Sequence, residues 1–206
     1  MMEAIIFDVD GTLWDSTKEV AVAWNDALEK ETKVKRRVTQ EELKKEFGKP
    51  LEEIMADLFV ELTKEEQMEL SKVLFRHQNK WMETAPCKVY EGVPEVLRQL
   101  AQTYKLCIVS NCQEGYIEAF LKNTGLQDVI TDHTCPGDTG KLKAENIRII
   151  MERNHIREAV YVGDTQGDAD ACKKAGVPMI YAAYGFGEVE GEYPTLHKFR
   201  ELLQMF

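Results

Sequence analysis

Apolar positions along this chain follow two rhythms. Five short runs are apolar almost throughout: Ala4–Val9, Lys105–Ser110, Asp128–Thr131, Ala159–Gly163 and Pro178–Tyr184. Short unbroken runs of this kind suit strands buried on both faces of a parallel sheet. Between them the period changes. Val96, Leu97 and Leu100 share one helical face, as do Ile147, Ile150 and Met151, and Phe199, Leu202, Leu203 and Phe206 predict a closing helix. Strands alternating with helices predict an α/β fold: a doubly wound parallel sheet of Rossmann-like type with right-handed crossovers.

One stretch breaks the alternation. Residues 15–85 hold no good strand but carry three helical stripes: Val20, Trp24, Leu28; then Leu51, Ile54, Met55, Leu58, Phe59, Leu62; then Leu70, Val73, Leu74, His77, Trp81. The second follows the i, i+3, i+4, i+7 template closely. The pattern predicts a small all-helical domain at 15–85, inserted into a catalytic core made of 1–14 and 86–206. Pro86 and the Gly92-Val93-Pro94 turn mark the return to the core.

Composition narrows the class. Over 206 residues the formal net charge is −10, which disfavours non-specific binding to nucleic acid or to anionic membrane. No segment approaches the run of about 18 apolar residues that a membrane helix needs. The start, MMEAIIFDVDG, does not read as a secretory leader, and the five cysteines are odd in number with no C-x-x-C pair. Together these predict a reduced, cytoplasmic protein. The four histidines lack the spacing of a zinc helix.

The chemistry sits just past the strands. In open parallel sheets, ligands bind beyond the carboxyl ends of the strands. The first strand runs into Asp8-Val9-Asp10-Gly11-Thr12, and two carboxylates so close repel unless a cation or proton lies between them. A hard cation with oxygen ligands, magnesium above all, answers that need. The fourth strand runs into Asp164, followed by Thr165-Gln166-Gly167-Asp168, where Asp168 also suits the cap of the next helix. The second strand delivers Ser110 and Asn111, a hydroxyl and an amide that suit a phosphate cradle at a helix start or a plain cap. Lys141 and Lys143 precede the helix of Ile147, and a fixed lysine there would neutralise phosphate charge.

In this order, the four pieces resemble the motifs of the haloacid dehalogenase superfamily: D-x-D-G-T at Asp8 to Thr12, Ser110, Lys143 (or Lys141), and G-D-x-x-x-D at Gly163 to Asp168. The likeness is to its phosphoglycolate phosphatase-like members, with the helical insertion as their cap. The resemblance implies a phosphoric monoester hydrolase acting on a small phosphorylated metabolite. It makes Asp8 the nucleophile and Asp10 the acid/base. Mg²⁺ would be held by Asp8, the Asp10 backbone carbonyl and Asp164, with Thr12 and Asp168 supporting from outside, and phosphate would be bound by Ser110, Asn111 and Lys143. The family often has Lys-Pro at the lysine motif, and neither lysine here is followed by proline. An acid at position 10 favours phosphoryl chemistry over dehalogenation. Two rivals stay open: a sugar-phosphate mutase of the same fold, and a silent binding protein.

Other features carry less. Gly185-Phe186-Gly187 with Gly191 has the wrong spacing for a dinucleotide fingerprint, and Gly140-Lys141 lacks the rest of a P-loop. The basic run Lys33 to Arg37 reads as a solvated connection. Gly48-Lys49-Pro50 breaks the helices and is placed to reach the site or simply to turn the chain. Cys112, beside Ser110, reads as a packed thiol.

Overall fold

The computed structural model describes residues 2–206, so residue 1 of the predicted 1–14 segment lies outside the described residues. In chain order the elements are β1 (Ala4–Phe7), β2 (Trp14–Asp15), α1 (Thr17–Glu31), α2 (Gln40–Glu46), α3 (Leu51–Leu58), α4 (Lys64–Met82), β3 (Lys88–Val89), α5 (Val93–Leu100), β4 (Lys105–Val109), α6 (Tyr116–Thr124), β5 (Asp132–Thr134), α7 (Pro136–Thr139), α8 (Lys143–Arg153), β6 (Ala159–Gly163), α9 (Gln166–Ala175), β7 (Met179–Ala182) and β8 (Thr195–Leu196). A 3₁₀ turn at Phe199–Gln204 closes the chain where the apolar spacing predicts an α-helix.

Six strands form one parallel sheet in the order β5-β4-β1-β6-β7-β8. The order reverses around β1, so the crevice between the ends of β1 and β6 is the topological switch point of a doubly wound sheet. Every residue of β1 and β6 is buried, which explains why their sequences show no polar alternation.

The predicted third strand, Asp128–Thr131, is misplaced. Val129 and Ile130 are buried, but their amides bond back to the Leu126 carbonyl in a turn, and the edge strand begins only at Asp132. Their apolarity reflects packing against the core from a loop. Three pairing elements, β2, β3 and β8, have two residues each, too few for any periodicity to mark.

The 15–85 stretch is helical, as its stripes predict, with two differences. The second stripe stops being helix at Leu58, so Leu62 lies beyond α3. The added helix, α2, buries only Leu43 and shows no stripe; its start is the capping box of Thr39 and Glu42. The antiparallel pair Trp14↔Val89 and Asp15↔Lys88 brings the two ends of the stretch side by side. One apolar cluster runs from Phe7 and Ile108 in the sheet through Trp14 and Tyr116 to Trp24, Ile54 and Leu74 in the helices. Along α4 the buried positions are Leu70, Leu74, Gln78 and Met82, so the inward face carries a glutamine, while Trp81, on the predicted stripe, is 37% exposed.

Phe120 of α6 packs edge-on against Trp14, ring centres 4.9 Å apart, and is fully buried. Phe120→Ala is expected to cost about 3–5 kcal/mol, measured by urea unfolding.

Candidate active site

The chain turns sharply at the end of β1. The Val9 carbonyl accepts from the amides of Thr12, Leu13 and Trp14, and Gly11 sits at φ +83°. A side chain at Gly11 would put its Cβ 2.1 Å from the Asp164 carboxylate, so glycine serves both the backbone angle and the close approach. Asp8 and Asp10 are thereby presented at the switch point, opposite Asp164 at the end of β6.

Asp8, Asp164 and Asp168 each bring a carboxylate oxygen within 4.8 Å of the others, and all are buried. Lys143, the first residue of α8, reaches into the group. Its Nζ donates to Asp8 Oδ1 at 2.9 Å and to Asp168 Oδ1 at 2.6 Å, with only 4% of its side chain exposed. Lys141 is exposed and takes no part. Thr12 Oγ1 donates to Asp164 Oδ1 at 3.1 Å, and the Phe186 amide donates to Asp164 Oδ2 at 2.8 Å.

Asp168 is already fully engaged. Its Oδ2 accepts from the amides of Asp164 and Thr165 and from the Thr165 hydroxyl, while Oδ1 takes Lys143 and the Tyr161 hydroxyl. Asp168 is not the N-cap of α9; Thr165 is, with Asp168 at the third helical position of a capping box. These donors leave Asp168 holding Lys143 and the Asp164 loop in place rather than open to a cation.

The charges are out of balance. Four buried acids, Asp8, Asp10, Asp164 and Asp168, face one buried amine. Burial pushes Asp8 up to about 6, against the pull of Lys143, with Asp168 adding repulsion. Burial, with the charges of Asp168 and Asp8, holds Asp164 well above the carboxylate range. Asp168 is drawn below it: burial opposes this, but Lys143 wins. Lys143 is held above its usual value by Asp168 and Asp8, despite its burial. A hard divalent cation bound by carboxylate oxygens would ionise Asp8 and Asp164 together, so the donor set fits such an ion.

Asp10 lies apart from this group. Its Oδ1 accepts from Ser16 Oγ at 2.5 Å, Tyr116 Oη at 2.7 Å and Trp14 Nε1 at 3.0 Å, and Tyr116 Oη lies 2.8 Å from Ser16 Oγ. All three donors converge on one oxygen, leaving Oδ2 free of them. Burial raises Asp10 to about 7, opposed by the Ser16, Tyr116 and Trp14 bonds and aided by the charge of Asp8. A carboxyl poised there can both give and take a proton near neutral pH.

Ser110 neighbours Asp8 and favours its ionised form, but it and Asn111 lie on a loop well ahead of α6, not at a helix start. The Asn111 amide donates to the Gly48 carbonyl at 2.9 Å, so this side chain ties the core to the α2–α3 connection. Gly48 thus does reach the site, as does Phe47, whose ring meets Phe186 at 6.4 Å.

Trp14, Ser16, Tyr116, Tyr161, Thr165 and the Gly185-Phe186 turn escape a reading by motif. Only the glycines of 185–187 leave a trace in the sequence. A Cβ on Gly185 would fall 2.3 Å from Asp164 Cβ, so that glycine lets the loop lie directly on the acid.

The comparisons with known proteins agree with this geometry. The family model of haloacid dehalogenase-like hydrolases matches residues 5–182. A protein of Aquifex aeolicus named phosphoglycolate phosphatase is 28% identical, over 99% of this chain and 96% of its own. Another so named, from Nitrosospira multiformis, is 27% identical over 98% and 96%. Among solved structures, a haloacid dehalogenase-like family hydrolase of Streptococcus pneumoniae superposes with TM-score 0.81 at 21% identity, over 100% of this chain and 98% of its own. CbbY of Rhodobacter sphaeroides, solved with phosphate, gives 0.78 at 19% over 98% and 96%. At such identities the two structures speak for the fold.

Two substitutions probe the supports. Tyr116→Phe removes one of the donors on Asp10 and is expected to lower kcat about tenfold with circular dichroism unchanged. Gly185→Ala, by displacing Asp164, is expected to cut kcat/KM on an aryl phosphate about a hundredfold while the protein still unfolds cooperatively.

Proposed function

Because the chain belongs to the family of haloacid dehalogenase-like hydrolases, we propose that it cleaves a small phosphate monoester through an aspartyl-phosphate on Asp8, with Mg²⁺ at the acidic cluster. The enzyme is a phosphoric monoester hydrolase, the activity for which its curated relatives are named. The observation that carries the mechanism is the division of labour between two acids. Asp8 is held by Lys143, whereas Asp10 is held separately, by three donors on one oxygen.

Asp8 attacks phosphorus as the bond to the leaving oxygen breaks, and Asp10 gives that oxygen a proton. Water then attacks the acyl phosphate, Asp10 takes its proton, and phosphate leaves with Asp8 regenerated. With its carboxyl near 7, Asp10 suits both half-reactions. Lys143, bonded to Asp8, and Ser110, a neighbour of Asp8, stand where phosphoryl oxygens arrive and stabilise charge on them. Asn111 holds the α2–α3 connection by its side chain and serves phosphate binding less directly than its position in the motif implies. The residues to hold the cation are Asp8, Asp164 and the Asp10 carbonyl, with Thr12 and Asp168 bracing them; the ion would supply charge neutralisation at the transferring group.

Helices α1–α4, the predicted 15–85 insertion, act as a cap that excludes water from the attack by Asp8 and shapes the space for the leaving group. Among the described residues no helix is long and apolar enough to cross a membrane. All five cysteines are free, which fits a cytoplasmic enzyme.

Asp8→Asn is expected to lower phosphate release from 4-nitrophenyl phosphate by about a thousandfold or more, with an unaltered far-UV spectrum. Retention of wild-type activity would show the nucleophile to be elsewhere. Dialysis against EDTA is expected to abolish turnover and lower Tm, and added Mg²⁺ to restore both in a concentration-dependent way.

A further inference from the structure

Between the acids and the helices lies a cavity of about 30 Å³. On the helix side its wall is apolar, with Trp24, Leu51, Ile54 and Phe75. The exception is Gln78, which stands on the inward face of α4 and is 4% exposed.

The orientation of that amide follows from its neighbour. Trp24 Nε1 lies 2.6 Å from it, and an indole N–H can only donate, so the atom facing it is Oε1. The Gln78 –NH₂ therefore points elsewhere, and among the described residues none accepts from it. The other lining amides are engaged: Asn111 donates to Gly48, and Gln113 to Asn79 at 2.7 Å. Gln78 is left as a nearly buried donor beside the cavity, with its acceptor still to come.

The lining also lacks a cation. No lysine, arginine or histidine contributes to it among the described residues. Lys49, next to Gly48 in the cap loop, is committed to Glu46 at 2.6 Å and Asp57 at 2.9 Å. Lys143 is committed to Asp8 and Asp168 on the opposite side. A second anionic group on the substrate, lying on the helix side, would be desolvated with no cationic side chain of the lining to balance it.

We propose, on the phosphatase reading above, that the alcohol released is small and uncharged and carries an oxygen that accepts from Gln78 Nε2. Neutral monoesters are then preferred over carboxylated ones, including the 2-phosphoglycolate for which the curated relatives are named. Gln78 is the specificity-determining residue.

The test compares two esters that differ at one group: 2-phosphoglycolate, with a carboxylate, and 2-hydroxyethyl phosphate, with a hydroxymethyl group in its place. With full-length protein and Mg²⁺, kcat/KM is expected to be at least about tenfold higher for the hydroxyethyl ester. Ethyl phosphate, which lacks the second oxygen, isolates the part played by Gln78. In Gln78→Leu the ratio of kcat/KM for 2-hydroxyethyl over ethyl phosphate is expected to fall about tenfold. Equal or better turnover of 2-phosphoglycolate by the wild type would overturn the proposal and leave the phosphatase reading standing. An unchanged ratio in a folded Gln78→Leu would overturn the role of Gln78. No turnover of any of the three esters would overturn this inference while 4-nitrophenyl phosphate is still cleaved; loss of that activity too would overturn the phosphatase reading itself. The wild-type comparison decides the charge preference whether or not the variant folds.

Discussion

Crowding of negative charge at the carboxyl end of the sheet is the constraint that the rest of this structure serves. Asp8, Asp164 and Asp168 share a few ångströms of buried space with a single lysine. Such a group is tolerable only if every oxygen has a donor, a cation or a proton. The surroundings read as the means to that end. Thr12 and the Phe186 amide serve Asp164, the start of α9 serves Asp168, and Gly11 and Gly185 clear the space in which Asp164 sits. What they leave unsatisfied is the charge itself, and a divalent cation with an incoming phosphoryl group completes the site.

Asp10 solves a different problem by a different route. Its hydrogen-bond donors are neutral, and they come from three places: the β2 strand through Trp14, the start of α1 through Ser16, and α6 through Tyr116. The residues that hold the Asp10 carboxyl therefore sit where the helical segment departs from the core. Phe120 backs Trp14 from the same helix as Tyr116, so the aim of Asp10 depends on apolar packing as much as on hydrogen bonds. The same segment returns over the site through Phe47 and Gly48, held by Phe186 and Asn111. The surroundings of Asp10 and the segment over the site are thus contiguous structure.

The parts of the site legible in the sequence were those carried by a strand end. Asp8, Asp10, Ser110 and Asp164 each follow a run of buried apolar residues, and a parallel sheet lines up such ends at one edge. The fold was legible for the same reason: fully buried strands and one-sided helices leave periods of different kinds. Where burial and secondary structure part company the reading failed, as at Val129 and Ile130, which are buried in a turn. It failed again at α2, which has a capping box but almost no buried face, and at α4, where apolar counting chose Trp81 over Gln78.

The sequence by itself determined the alternation of the main strands and helices, the helical character of the stretch after the first strand and the acids at the strand ends, because each depends on neighbours within a few residues. It also narrowed the lysine to two positions. Only the tertiary structure brought Lys143 rather than Lys141 to Asp8, placed three donors on one oxygen of Asp10, turned Asn111 toward Gly48 and left the Gln78 amide facing a cavity without a cation. Those outcomes depend on contacts across many tens of residues, such as Tyr116 with Asp10 or Lys143 with Asp8. No local period records such contacts, because a hydrogen bond's partner is set by where the packed elements bring it.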